Sequence, residues 1–133
     1  GGVYLGGTGS ANKLDDYESG AWTPTDNGAS NGDITVISAR YVKIGDTVHL
    51  TMYVSVSATT GANMTIGGLP FTPIGGDRYC VAPVNHNTSA GECLFRVQPA
   101  STVAQVIQFN NTAKAWSAFN GSIFITSITY QTL

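Results

Sequence analysis

The alternation of residues 47–57 constrains the fold of this chain more than any other feature. In this run, TVHLTMYVSVS, every second residue is aliphatic, and the residues between them are Thr, His, Tyr or Ser. A period of two is typical of a β-strand with one face in a core and the other in water. The sequence therefore predicts a half-buried strand. Its inward side chains are Val48, Leu50, Met52, Val54 and Val56.

A second alternating segment ends in a turn just before this strand. Residues 41–44, Tyr-Val-Lys-Ile, run directly into Gly45 and Asp46. These two residue types tolerate the positive φ angles of a tight two-residue turn. Residues 40–57 are therefore predicted to form a β-hairpin.

Short extended segments dominate the rest of the chain. Turn-forming residues separate them at intervals of roughly 8–12 residues, which is the spacing of antiparallel β-sandwiches. We therefore predict an all-β fold, an antiparallel β-sandwich that is jelly-roll-like. The exception is residues 13–19, KLDDYES, for which we predict a short acidic helical turn ended by Gly20. We expect residues 1–20 to be a Gly-rich neck or linker and residues 21–133 to be the C-terminal sandwich domain.

Charged residues are scarce. They make up 11% of the 133 residues, against about 25% in ordinary globular chains. Six basic and eight acidic residues leave a net charge of −2, so no basic face is available for phosphate backbones and nucleic acid is not an expected partner. No apolar run approaches the roughly 18–20 residues of a membrane span, so membrane insertion is not expected either. Such a surface must be covered by small polar residues or packed against other subunits.

An acidic cluster at residues 15–18 raises the question of catalysis. Asp15, Asp16 and Glu18 are carboxylates of the kind that perform acid–base chemistry or bind a hard cation. Adjacent Asp15 and Asp16, however, point in different directions on a helix or a strand, and no calcium-loop spacing follows them. The sequence favours a solvated turn, with no catalytic residues, no metal site and no cofactor.

The chain has two cysteines, Cys80 and Cys93. They lie in segments that are predicted to be strands joined by a polar loop, and in a simple hairpin they would face each other, so a disulfide is geometrically possible. Proteins assembled in a reducing cytoplasm normally keep their cysteines as thiols. The sequence therefore does not decide whether the two cysteines form a disulfide. A metal site with His86 lacks paired ligand spacing. His49 and His86 are predicted to be surface residues, since the sequence places no nucleophile beside either.

The segment 110–120, NNTAKAWSAFN, has the composition of a sugar-binding site. An aromatic ring stacks on the C–H face of a sugar while amides bind its hydroxyls. The alternative is that Trp116 and Phe119 cap the core, and the sequence leaves both open. The predicted carbohydrate-binding residues are Trp116, Asn110, Asn111, Lys114 and Asn120.

The last predicted strand, residues 122–131, is apolar on both faces. Ile123 and Ile125 lie on one face, with larger apolar residues on the other. Such a strand is buried on both faces, either in the sandwich centre or against another subunit. The predicted subunit-interface residues are Tyr4, Leu5, Tyr17, Phe124, Ile128 and Tyr130.

Three stretches of the sequence, in this order, closely resemble the C-terminal domains of bacteriophage tail fibre and tailspike proteins. They are YLGGTGSANKLDDYESGAWTPT, YVKIGDTV and GGLPF, within about residues 3–73. In that family a Gly-rich neck and a short acidic turn lead into a terminal β-sandwich. The matching positions are Tyr4, Leu5, Asp15, Asp16, Tyr17, Glu18, Gly20, Trp22, Thr23, Pro24, Tyr41, Ile44, Gly45, Gly68, Leu69, Pro70 and Phe71.

The resemblance implies a homotrimer at the distal end of a virion fibre, assembled in the host cytoplasm and acting outside the cell. It implies no catalytic residues here, because tailspike hydrolase sites usually lie in an upstream β-helix. We therefore expect a non-enzymatic domain that binds a host surface polysaccharide or lipopolysaccharide. One alternative is a structural trimerisation clamp without ligand, and another is a small glycan-cleaving enzyme that uses Asp15, Asp16 or Glu18.

Overall fold

The computed structural model describes residues 3–4, 6–7, 16–27, 32–58 and 60–133 in full and residues 13–14 as backbone. One short 3-10 helix, Trp116–Phe119, accompanies the strands, and no helix among the described residues is long and apolar enough to cross a membrane. The strands are β1 (Val3–Tyr4), β2 (Lys13–Leu14), β3 (Tyr17–Ala21), β4 (Asp33–Ile44), β5 (Thr47–Ser57), β6 (Thr65–Ile66), β7 (Cys80–Pro83), β8 (Asn85–His86), β9 (Leu94–Val97), β10 (Ala104–Ile107) and β11 (Ser122–Gln131).

Two antiparallel sheets form the predicted all-β sandwich. The five-stranded sheet has the order β3-β4-β5-β11-β8, and the four-stranded sheet has the order β6-β10-β9-β7. Buried side chains from both sheets make one core. The consecutive strands β5 and β6 lie in different sheets and pair with β11 and β10, which return in reverse order. This outer winding is jelly-roll-like, whereas β8 leaves the path from β7 to β9 to pair with β11.

The predicted hairpin and its face assignment are confirmed. β4 and β5 pair from Asp33↔Ser57 to Ile44↔Thr47, and Gly45 in the turn has a φ of 58°. The inward residues of β5 are at most 2% exposed. β5 pairs with β4 on one side and with β11 on the other, so it occupies the middle of its sheet.

A β-bulge in β4 changes which residues face the core. The register shifts between Val36 and Ser38, so even-numbered residues face inward before the bulge and odd-numbered residues after it. As a result Lys43 lies opposite Val48 and is only 7% exposed, whereas Ile44 is 48% exposed. The bulge therefore buries a lysine and turns an isoleucine outward.

The predicted helical turn over residues 13–19 is wrong. Residues 13–14 pair with β1, and residues 17–21 form β3 along the edge of β4. An edge strand gives these backbone groups partners that a single helical turn would leave unpaired, and an isolated turn is costly to nucleate. The boundary between neck and sandwich at residue 20 stays a prediction, although β3 already belongs to the sheet. Asp15 lies outside the described residues.

The two cysteines do not face each other. Cys80 pairs with Val97, and the carbonyl of Cys93 instead accepts a hydrogen bond from the Val84 amide. Because β8 diverts the connecting chain to the other sheet, the hairpin closes four residues away from the simple register, about 13 Å along the strand. Both thiols are free, and this spacing excludes a bridge without backbone movement.

Because of Tyr130, the sandwich should lose stability at alkaline pH. Its side chain is 2% exposed, its hydroxyl donates to the Phe71 carbonyl at 2.9 Å, and burial raises its pKa to about 12. An unfolded tyrosine ionises near 10, so this contribution is complete below pH 10 and is lost as the pH rises from 10 to 12.

We expect the free energy of unfolding to fall by about 2 kcal/mol over this interval because of Tyr130 alone. Tyr130→Phe should be less stable at pH 7, since it loses the bond to Phe71, yet should show a flatter decline above pH 10. Urea unfolding at several pH values measures both effects. Parallel curves for the two proteins would contradict this role of Tyr130.

Candidate functional site

Trp116 is a core residue and not a stacking platform. It is 0% exposed, and a Cβ added at Gly32 would come within 2.9 Å of its ring. Phe119 is equally buried and meets Phe124 edge-on at 5.5 Å. The prediction that Trp116 stacks on a sugar is therefore wrong, and the alternative, that Trp116 and Phe119 cap the core, is confirmed.

The predicted polar partners of Trp116 do not converge on one site. The Lys114 ammonium donates to the Ala90 carbonyl, and the Asn120 side chain accepts a bond from the Ala58 amide at 3.0 Å. Both residues thus tie loops together. The segment is pulled inward because its backbone bridges to neighbouring strands, at Ile107↔Ala113 and Asn63↔Ala115.

Asn110 and Asn111 separate from that group and lie in a tight turn after β10. The Asn110 side chain accepts a bond from the Thr112 amide at 3.0 Å and so shapes the turn. Asn111 adopts a φ of 67°, and its side-chain oxygen accepts a bond from Arg96. Of the predicted carbohydrate-binding residues, Asn111 is thus the one that reaches an outward-facing side chain of the four-stranded sheet.

The predicted interface residues include both buried and exposed residues. Phe124, Ile128 and Tyr130 are at most 4% exposed within a single chain, because the second sheet of the same chain covers them. They cannot form a subunit interface in this fold, and that part of the prediction is wrong. Tyr4 and Tyr17 are 49% and 62% exposed. Leu5 lies outside the described residues.

The acidic residues next to β3 anchor the start of the sheet. The Asp16 carboxylate forms an ion pair with the buried Lys43, whose ammonium also lies 5.7 Å from the centre of the Phe71 ring. Glu18 accepts a 2.6 Å hydrogen bond from the Tyr41 hydroxyl, and this bond raises the pKa of Tyr41. Asp16 and Glu18 thus have structural partners, and neither lines the two hollows described below.

Two of the glycines at positions that resemble tail fibre domains allow close contacts in this part of the fold. A Cβ at Gly20 would lie 2.9 Å from the Tyr41 ring. Gly68 has a φ of 82°, and a Cβ there would come within 2.3 Å of the Thr23 carbonyl oxygen. Tyr41 in turn meets Phe71 edge-on at 5.3 Å. The positions that match tail fibre domains here therefore have packing roles that need no ligand.

The structure brings Cys93 beside His86, which the sequence did not predict. The Sγ and Nε2 atoms are 3.9 Å apart, and both are within hydrogen-bonding distance of the Gly91 carbonyl, at 3.1 and 2.8 Å. A ring nitrogen that donates to Gly91 cannot accept the thiol proton. Burial raises the pKa of Cys93, although the charge of Lys114 opposes this. The pair is therefore a poor nucleophile and base.

No metal centre is formed by the described part of the chain, where no group of three or more His, Cys, Asp or Glu could hold an ion. An open cleft of about 650 Å³ lies between residues 23–26 and the paired ends of β4 and β5. A smaller hollow of about 360 Å³ lies on the outer face of the five-stranded sheet, where Tyr53 and Ile125 contribute to its lining.

The outer face of the five-stranded sheet is almost uncharged. Tyr17, Ile44 and Ile125 are 62%, 48% and 37% exposed on it. Arg40 and Asp33 are the two fully charged residues among the side chains that the strand register of the described residues places on this face. They are Tyr17, Ser19, Ala21, Asp33, Thr35, Ser38, Arg40, Val42, Ile44, Thr47, His49, Thr51, Tyr53, Ser55, Ser57, Asn85, Ile123, Ile125, Ser127, Thr129 and Gln131.

The opposite side of the sandwich carries a polar and aromatic cluster around Arg96, which we call the Arg96 surface: Tyr79, Val81, Arg96, Gln105 and Asn111. Arg96 lies between Val81 and Gln105 in the four-stranded sheet. Its guanidinium donates to the side-chain oxygens of Gln105 and Asn111 and lies 5.5 Å from the centre of the Tyr79 ring. Tyr79 and Val81 are 56% and 55% exposed.

No motif in the sequence indicates the Arg96 surface. Its members come from β7, β9, β10 and two loops, and no spacing links them. The alternation of Leu94–Val97 indicates that Arg96 points away from the core, but it does not reveal the neighbours of Arg96 across the sheet.

Searches among protein-family models, curated proteins and solved structures found no match for this chain. The resemblance to tail fibre domains therefore rests on the sequence positions named above.

The Asp16–Lys43 pair provides a test of the anchor. Asp16→Asn leaves a buried ammonium without its counter-charge, so we expect a loss of about 1–2 kcal/mol, less than for a fully buried pair because Asp16 is half exposed. Lys43→Met removes both the charge and its need for a partner. Urea unfolding of both single variants and the double variant measures the coupling. If Asp16→Asn costs the same in the Lys43→Met background, the ion pair is not the anchor.

Proposed function

We propose that the chain is a non-enzymatic, homotrimeric C-terminal domain of a bacteriophage tail fibre or tailspike, which attaches the virion to a host cell-surface polysaccharide or lipopolysaccharide. The observation that carries this proposal is the contrast between the outer faces of the two sheets. One is broad and partly apolar, with two charged residues among its strand positions, and the other presents an arginine held among two side-chain amides and an aromatic ring. The sequence resemblance to phage fibre domains supports the same assignment.

The outer face of the five-stranded sheet suits contact with other copies of the chain. Strands spaced about 4.8 Å apart with a rise of about 3.3 Å per residue give its four longest-paired strands an area of roughly 600 Å². This approaches the roughly 800 Å² that each partner buries in a stable interface. Interface centres are also depleted in charge, and the charged residues at the strand positions of this face are Arg40 and, at the end of β4, Asp33. Three copies that turn this face to a common axis form a closed ring.

The Arg96 surface suits contact with a glycan. It lies on the other sheet, so it stays exposed when the five-stranded sheets pack together. Tyr79 offers an aromatic ring, and Gln105 and Asn111 offer side-chain amides whose positions are fixed by Arg96. This combination replaces the Trp116 loop as the candidate carbohydrate contact.

A structural clamp without ligand is the second candidate. The 113–120 segment favours the clamp, because Lys114, Trp116 and Asn120 all make contacts within the chain. Both candidates share the trimer and differ in glycan binding, so assembly and binding must be tested separately.

The assembly test changes one exposed residue on each sheet. Light scattering of the unchanged protein should give about three times the 13.9 kDa chain mass. Ile125→Glu should shift the protein toward monomers, because it places a charge in the proposed interface. Val81→Glu also replaces an exposed aliphatic strand residue, on the other sheet; it is the control and should leave the mass unchanged. A monomeric parent protein, or equal effects of both changes, would overturn the proposed trimer.

The attachment test uses a glycan array with the intact oligomer. Tyr79→Ala should weaken binding by about 2–12-fold per site, the range expected for one aromatic contact, and three copies should enlarge the effect through avidity. The oligomer mass and melting temperature should stay the same, since Tyr79 is exposed. Absence of binding by the parent protein to any glycan would favour the clamp.

A further inference from the structure

Arg96 is a half-buried cation without a counter-ion. All of its side-chain contacts within the described residues are to neutral groups: the oxygens of Gln105 and Asn111 and the ring of Tyr79. Its Nε atom is buried, and buried charged groups are usually paired. Among the acidic residues that the structure describes, none forms an ion pair with Arg96.

The neutral partners hold the guanidinium in a fixed position and do not neutralise its charge. A guanidinium has five N–H donors. One on Nη1 and one on Nη2 are used, and the Nε donor is buried without a partner. Each terminal nitrogen therefore keeps a second N–H. Two such donors match the two oxygens of a carboxylate, and charge-assisted bonds of this kind are about twice as strong as neutral ones.

We infer that the Arg96 surface selects glycans that carry a carboxylate, such as uronic-acid polysaccharides, over neutral glycans. This rests on the proposed glycan attachment and specifies its ligand. The carboxylate binds the free edge of the guanidinium. The C–H groups of the sugar lie against Val81 on the neighbouring strand and against the exposed part of Tyr79. Gln105 and Asn111 act as positioning residues, because they fix the fork of Arg96 before the ligand arrives.

The test compares matched polysaccharides that differ in charge. Alginate, hyaluronate and pectate are each used beside a carboxyl-reduced form, in which the acid has become a primary alcohol on the same backbone. At low salt the parent oligomer should bind at least one acidic form about tenfold more tightly than its reduced counterpart, since one charge-assisted contact contributes about that factor. Added salt should reduce this preference.

Variants separate the charge of Arg96 from the fold. Arg96→Gln should abolish the preference for the acidic form, and Arg96→Lys should keep part of it, because it retains the charge but not the planar fork. Arg78→Gln is the control: Arg78 is an exposed arginine that bonds to Gln131 in the other sheet, and its loss should leave the preference intact. Melting temperatures show whether each variant is folded.

The outcomes distinguish this inference from the function on which it rests. Equal binding of acidic and reduced forms, lost in Tyr79→Ala, would overturn the carboxylate selection and leave glycan attachment standing. A preference that survives in folded Arg96→Gln would also overturn it. If the oligomer binds neither these polysaccharides nor any glycan on an array, the attachment function fails, and the inference fails with it.

Discussion

The structure depends on the position of β5 between β4 and β11. β11 pairs with β5 along its entire length, from Ser122↔Val56 to Gln131↔Thr47, so the same alternation is imposed on both strands. Their inward residues then face the second sheet of the same chain, and Phe124 meets both Phe95 and Phe119 in the core. A one-residue slip would turn each of these side chains outward. Core, sheet order and the choice of outward residues all follow from this pairing.

The same pairing explains why the two outer faces differ. With the large aromatic residues committed inward, the outward residues of β4, β5 and β11 are mostly Thr, Ser and single aliphatic residues. The four-stranded sheet is made of shorter strands, and neighbouring loops reach over its edges, so Tyr79 and Asn111 can meet Arg96. The large, nearly uncharged sheet therefore suits self-association, and the smaller sheet with loop contributions suits a ligand.

The sequence predicted the strands and the turn whose structure depends on residues close together in the chain. The period of two identified β5, apolar residues at alternate positions on both faces predicted β11, and Gly45-Asp46 identified the turn. Features set by long-range pairing were missed. The acidic segment is a strand because the edge of β4 accepts it, and the bulge in β4, which buries Lys43, has no marker in the sequence. Composition left Trp116 open as either a ligand residue or a core residue, and the burial of its large aromatic ring decides for the core.

The proposed trimer has one outer face of each sandwich covered by other copies of the chain and the other face free. Hydroxyl-radical footprinting of the unmodified protein tests it without a mutation. Tyr17 on the five-stranded sheet and Tyr79 beside the four-stranded sheet are 62% and 56% exposed in a single chain, so they form a matched pair. The account predicts strong labelling of Tyr79 and protection of Tyr17, with protection lost on dilution to monomers. Equal labelling of the two tyrosines at all concentrations would contradict it.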